Sequence, residues 1–347
     1  MIRKRIMVTT GIFSPGSTSY GLAEGFRQMG WLVQEVDMLH YLPKVVKGKL
    51  GRIGRRLVLS GGDSAFVRDT IENCRLLKPD FVLIGKGALF DRGSLREIKK
   101  HSELLVNYYP DFHFNHRGLD TESFGEYDLF ITTKTFHVEY LKELIGAEKV
   151  RYVPHGYVPS VHQPVLEALS EGDYATDILY VGNWSAYKQR WLEDLIKLDP
   201  KLDLTIGGNR WSENIGGSVL VRKRLLGERA DLAYAAAVQT ARINVAIHFG
   251  PGPNGWQDKV STRTFEIPAC GGFMLHIDND EVREFFEPGL EIDVFSCGEE
   301  LNDKVRFYLG RPDLRAKMIQ RAYERAVPHY SYVDRAKAIS NILEPRT

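Results

Sequence analysis

Cysteine is scarce in this chain. Cys74, Cys270 and Cys297 are its three, odd in number and far apart in 347 residues. They supply neither a disulfide framework nor a CxxC metal site, and they fit a reducing compartment. An excess of one charge is equally lacking. Lys and Arg total 46 against 45 Asp and Glu, a formal net charge of +1. Nothing therefore pulls the whole chain towards nucleic acid or an anionic membrane. Long apolar runs are missing too. After Arg3, Lys4 and Arg5 comes only Ile6-Met7-Val8, and Gly11 closes the segment. That is too short for the core of a signal peptide. No stretch is long enough to span a bilayer. These absences point to the cytoplasm, with peripheral contact at the inner membrane surface left open. The chain also lacks GxGxxG after its first strand and any GxxxxGK[ST] loop, which argues against nicotinamide and ATP chemistry.

What is present reads as a soluble two-domain protein. The length suits two cores, and 43% hydrophobic with 26% charged residues is ordinary for a globular chain. Apolar runs at 5–10, 31–36, 81–84, 104–108, 129–132 and 150–153 alternate with helical segments. Val153-Pro154-His155-Gly156-Tyr157-Val158-Pro159, ending near Gln163-Pro164, breaks the composition and reads as a linker. The alternation then restarts, with strands expected at 177–181, 202–206, 243–249 and 273–277. Such alternation predicts parallel sheets with helices on both faces. The expected domains are 1–160 and 161–328, with a terminal helical segment at 329–347.

In open parallel sheets, ligands bind beyond the carboxyl ends of the strands. Gly-rich segments stand there after residues 10, 181, 206 and 249, and include Gly16, Gly182 and Gly208. Glycine lets backbone approach a phosphate, and a helix N-terminus behind the loop adds N–H groups and positive potential. Glycine also serves ordinary tight turns, so one such loop alone is a weak signal. Lys188 and Arg190 follow the Gly182 loop, where cations would meet charge growing on a diphosphate leaving group; the alternative is a solvated helix face. Arg263 and Glu266 are three apart and share a helix face. They form a surface ion pair, or they divide phosphate and ribose between them. Trp184, Tyr187 and Trp211 flank the loops, either to stack on a base or sugar or to cover the core. Asp278-Asn279-Asp280 matches a DxD metal pattern, but its place before a helix favours capping.

In the first half, Asp111 and His113 follow a strand and could act as a general base or hold a sugar hydroxyl. A capping Asp and a surface His are the plain alternative, and His137 stands similarly. Between residues 44 and 57, Lys44, Lys47, Lys49, Arg52, Arg55 and Arg56 accompany apolar residues at helical spacing. That pattern suits an amphipathic helix on an anionic membrane or acceptor, or a solvated helix beside the sheet.

Arg263-Thr264-Phe265-Glu266-Ile267-Pro268-Ala269-Cys270-Gly271-Gly272-Phe273-Met274-Leu275 resembles the hallmark of the CgeB-like (spore maturation protein) glycosyltransferases. These are relatives of the retaining group 1 glycosyl transferases. Tyr180-Val181-Gly182-Asn183 through Lys188, the linker, Phe286-Glu287-Pro288-Gly289 and Tyr330-Ser331-Tyr332 resemble other segments of that superfamily. The likeness covers roughly residues 150–342. It implies a GT-B fold: two Rossmann-like doubly wound domains facing a cleft, with a C-terminal helix crossing back to the first. It implies a nucleotide-sugar donor, an unidentified acceptor, no metal and no other cofactor. Glu266 then sits where the superfamily binds the donor ribose. The first acid of its E-x7-E pair falls on Asp258, one methylene shorter. Asn183 replaces an arginine of the first loop, Lys188 keeps the second basic position, and Arg263 compensates for the first. Donor contacts are expected from Gly16, Gly182, Asn183, Trp184, Lys188, Gly208, Trp211, Arg263 and Glu266, and catalytic work from Asp111, His113, Lys188 and Asp258. A non-catalytic protein of the same fold and a sugar-nucleotide epimerase are the alternatives.

Overall fold

The computed structural model describes residues 5–41, 49–228, 231–252 and 254–344, with side chains described outside 49–60 and 222. Residues 44–48 of the basic segment thus lie outside the described residues, and for 49–57 only a helical backbone is described. The chain divides into two compact units, Met1–Pro154 with Tyr332–Thr347, and His155–Ser331.

The first unit holds β1 (Ile6–Gly11), β2 (Leu32–Asp37), β3 (Phe81–Gly85), β4 (Leu104–Tyr109), β5 (Leu129–Thr132) and β6 (Val150–Tyr152). Their order is β2-β1-β3-β4-β5-β6, and every described pairing is parallel. Helices cover both faces of such a sheet, so its central strands read as unbroken apolar runs. β4, Leu-Leu-Val-Asn-Tyr-Tyr, is buried at every residue. From β1 the chain passes to β2 on one side and later to β3 on the other. The carboxyl ends of β1 and β3 therefore border the point where ligands enter doubly wound sheets.

The terminal helix Tyr332–Leu343 belongs to this unit and packs on the helix Thr18–Gln28. Gly21 and Gly25, one turn apart, provide the groove. A Cβ on Gly25 would stand 2.8 Å from the Ala336 Cβ, and one on Gly21 would stand 2.7 Å from the Tyr332 ring. Thr18 and Tyr332 close the contact with a 2.8 Å hydroxyl–hydroxyl hydrogen bond.

The second unit holds β7 (Thr176–Val181), β8 (Leu204–Gly207), β9 (Arg224–Gly227), β10 (Ala241–Ala246), β11 (Met274–Ile277) and β12 (Asp293–Phe295), in the order β12-β11-β10-β7-β8-β9. Alternate residues feed two cores. Ile178, Tyr180, Ile206 and Val245 pack on one face, and Leu179, Ala246, Phe265 and Met274 on the other.

Ten of these twelve strands stand where the apolar runs placed them. β9 and β12 do not announce themselves, because one carries exposed ends and the other is three residues long. β10 also ends earlier than its apolar run, at Ala246. Ile247 and His248 stay buried beyond the ladder, and the Ile247 carbonyl accepts from Arg263 Nη2 at 3.2 Å.

Candidate functional site

The loop after β7, Gly182-Asn183-Trp184-Ser185, leads into the helix Ala186–Leu198. Ser185 caps that helix through its hydroxyl, which accepts from the Lys188 backbone N–H at 3.4 Å. Lys188 lies in the first turn, where the helix dipole opposes a cation. It is nonetheless buried, 2% exposed. Its ammonium donates to the Asn183 carbonyl at 3.1 Å and sits 4.0 Å from the centre of the Phe249 ring. Burial, and then the Arg263 charge, push the Lys188 ammonium down to about 7, with Asp258 pulling the other way.

Arg263 and Glu266 both lie on the helix Thr262–Ala269. A Cβ on Gly182 would come 2.5 Å from Arg263 Nη1 and 2.7 Å from the Tyr180 hydroxyl, so only glycine lets this arginine reach the loop. The guanidinium also lies 5.8 Å from the centre of the Tyr180 ring, and its Nε, although buried, makes no hydrogen bond. Arg263 therefore faces the Gly182 loop, and it does not form a surface pair with Glu266. Asp258 is buried near this group and acts electrostatically on Lys188 and Tyr180. Glu266 is buried one turn along the helix, with His162 Nε2 3.7 Å from its Oε1 and the Tyr234 phenol beside it.

The other residues named around this loop divide between its surface and its support. Asn183 is exposed, and its side-chain oxygen accepts from the Asn209 N–H at 3.2 Å. Trp184 is half-buried and donates to Gln189 at 2.6 Å. Gly208 takes a φ of +118°, and a Cβ there would collide with the Gly182 carbonyl. Trp211 lies in the core, and its indole N–H donates to that carbonyl at 2.7 Å. It supports the loop from below and offers no face for stacking. Asp278 pairs with Arg283 and Asp280 with Lys259, both at 2.8 Å, while Asn279 caps the following helix. Among the described residues no cluster of His, Cys, Asp and Glu gathers as metal ligands would.

A layer that sequence reasoning missed lies behind Arg263. His276, on β11, is 2.7 Å through Nδ1 from the Ile277 carbonyl, which places its proton on Nδ1. Its Nε2 is then left to accept from Thr264 Oγ1 at 3.0 Å and from His248 Nε2 at 2.8 Å. Burial lowers His276 to about 4, so the ring stays neutral. Two histidines thus tie the helix Thr262–Ala269 to β11 and to the end of β10.

In the first unit, Gly16 turns the chain between β1 and the helix Thr18–Gln28. Asp111 follows β4, and one of its oxygens meets Lys86 Nζ at 2.7 Å and His116 Nε2 at 2.9 Å. Burial would raise this carboxyl, but the His116 and Lys86 interactions outweigh it and hold it well below the usual carboxylate range. Lys86 and His116 were not legible as its partners, because they come from separate loops. His113 is exposed, with its ring 5.0 Å from His116 and its carbonyl accepting from the Tyr109 hydroxyl at 2.5 Å. His137 is buried between Thr132 and the Phe112 carbonyl, a structural position.

Residues 187–341 match a family model described as glycosyl transferase-like. No curated protein matches the chain. Among solved structures, a sucrose-phosphate synthase from Thermosynechococcus elongatus is 14% identical with a TM-score of 0.69, covering 99% of each chain. Anabaena HepE, solved in complex with UDP and glucose, is 13% identical with a TM-score of 0.66, over 98% of this chain and 100% of that one. AviGT4, a glycosyltransferase involved in avilamycin A biosynthesis, is 12% identical with a TM-score of 0.64, over 98% and 97%. The chain has the two-domain α/β fold of the GT-B glycosyltransferases and carries a glycosyl transferase-like domain.

Proposed function

We propose that this protein is a CgeB-like, retaining glycosyltransferase that takes a sugar from a nucleotide-diphosphate sugar held by the second unit. One observation carries the reading. A buried lysine at a helix N-terminus stands beside an arginine, and its charged form is disfavoured there. Positive potential from the helix, Lys188 and Arg263 converges on the Gly182 loop, and a diphosphate supplies the counter-charge. As the bond from the anomeric carbon to the phosphate oxygen breaks, charge grows on the diphosphate. Cations already fixed in place stabilise it without reorganisation. Glu266 takes the ribose hydroxyls, and Asp258 orients the transferred sugar, which passes through an oxocarbenium-like state by analogy with glycoside hydrolysis.

Asp111 is too weak a base to deprotonate an acceptor, since its contacts with His116 and Lys86 hold its carboxyl well below the usual carboxylate range. It orients hydroxyl groups, together with His113, and retention requires no stronger base. HepE is described in complex with UDP-glucose, which supports a UDP-sugar as donor. The basic residues between 44 and 57 support a cytoplasmic enzyme whose acceptor lies at an anionic membrane surface.

Incubation with UDP-, GDP-, ADP- and TDP-sugars tests the reading, with thermal shift and product analysis as readouts. One donor should raise the melting temperature and release nucleotide slowly without acceptor. Conversion of the donor to an epimeric nucleotide sugar would contradict transfer, and no shift with any donor would contradict donor binding itself.

A further inference from the structure

Glu266 is not held by its own helix alone. His162, near the end of the linker, reaches it from a separate stretch of chain. The turn that presents His162 is tight: the His162 and Val161 backbone N–H groups both donate to the Val158 carbonyl, at 2.7 and 3.1 Å. The imidazole folds back over this turn, so that Val158 N–H donates to Nδ1 at 2.9 Å. A ring nitrogen that accepts carries no proton, so the proton of the neutral ring is on Nε2. Nε2 lies 3.7 Å from Glu266 Oε1. Active-site hydrogen bonds are often this long without ligand and tighten on binding. The Tyr234 ring closes the other side, edge-to-face with His162 at 5.5 Å. Burial keeps His162 neutral, against the pull of Glu266 and Asp231, so it offers the carboxylate a single donor proton.

We propose that His162 is a positioning residue. It fixes the Glu266 carboxylate through one oxygen, so that its remaining lone pairs face two adjacent hydroxyls, and the second unit selects ribonucleotides over 2′-deoxyribonucleotides. This inference rests on the reading of Glu266 as the ribose ligand. A carboxylate free to rotate would accept from one hydroxyl nearly as well as from two. One held at Oε1 loses a defined hydrogen bond when the 2′-hydroxyl is removed.

The test is calorimetric titration of the whole protein with UDP, GDP and ADP and with the 2′-deoxy form of each. The wild type should bind the ribonucleotide of its preferred base about tenfold tighter than the 2′-deoxy form, as expected for a hydrogen bond to a charged group. His162→Asn, whose amide is too short to reach Glu266, should bring the ratio to within about twofold by weakening the ribonucleotide more than the deoxynucleotide. His162→Gln places an N–H where Nε2 stands and should restore most of the preference. His162→Phe keeps the bulk of the ring and serves as a second variant without a donor, with melting curves to confirm folding. A merely structural role would weaken both nucleotides equally, so an unchanged ratio in the Asn and Phe variants would overturn the inference and leave donor binding standing. Failure of the wild type to bind any of the nucleotides would instead remove the donor-site reading, and this inference with it.

Discussion

At the scale of single residues, Lys188 has the most distinctive environment. Its ammonium meets the Asn183 carbonyl, the Phe249 ring, the Arg263 charge and the Asp258 charge. In the unfolded chain a lysine titrates near 10.4, and here it is pulled down to about 7. Between those values the unfolded chain binds the extra proton, so through this group stability rises as pH increases from about 7 towards 10. Ligand binding has the opposite sign. A diphosphate favours the ammonium, so above pH 7 the donor binds together with a proton. Affinity for the preferred nucleotide sugar should therefore fall as pH rises from 7 to 9, and the slope should vanish in Lys188→Met. Titrations across that range check this, and an unchanged slope in the variant would separate Lys188 from the diphosphate. The lysine itself was legible from its place after a Gly-rich loop. Its burial was not, because the Phe249 ring that covers it lies 61 positions away in sequence.

At the scale of elements, close backbone approach recurs. Arg263 reaches the Gly182 loop because Gly182 has no Cβ, and the Gly208 backbone presses on that loop from β8. The same device seats the terminal helix Tyr332–Leu343 against Gly21 and Gly25. Gly25→Leu should drive a side chain into Ala336 and the Tyr332 carbonyl and cost about 1–3 kcal/mol, the range for overpacking. Chemical denaturation would show a lower midpoint for this variant, while Gly125→Ala tests a glycine with open space around it and no positive φ. Equal stability of the Gly25 variant and the wild type would contradict the packing described here. Alternation of apolar runs revealed ten strands and the helices between them, because core-facing residues repeat with the period of each element. It missed β9 and β12, where the pattern is too short to register. It also missed His162, His248 and His276, whose partners lie in other elements.

At the scale of the whole molecule, the chain leaves its first unit, forms a second and returns a last helix to the first. The fold was legible because each half repeats one plan of parallel strands and covering helices. The candidate site was legible only in part. Gly182, Lys188, Arg263 and Glu266 stand within one unit at neighbouring loop and helix ends, and the motif likeness named them. For Trp211 the sequence left two readings, stacking on a ligand or covering the core, because indole next to a Gly-rich loop suits both. Its burial beneath the loop is a matter of tertiary packing. Lys86 and His116, which fix the charge of Asp111, carry no signal in their local sequence.

The central claim is that a preorganised cationic pocket in the second unit stabilises a departing nucleoside diphosphate. The measurement closest to it is the rate of nucleotide release from the preferred donor, wild type against Lys188→Ala, with the donor Kd measured alongside. Loss of a group that acts mainly on the transition state should cut kcat by about a hundredfold or more, by analogy with other preorganised charge-stabilising groups, and weaken donor binding much less. Full turnover in a folded Lys188→Ala protein would contradict the account.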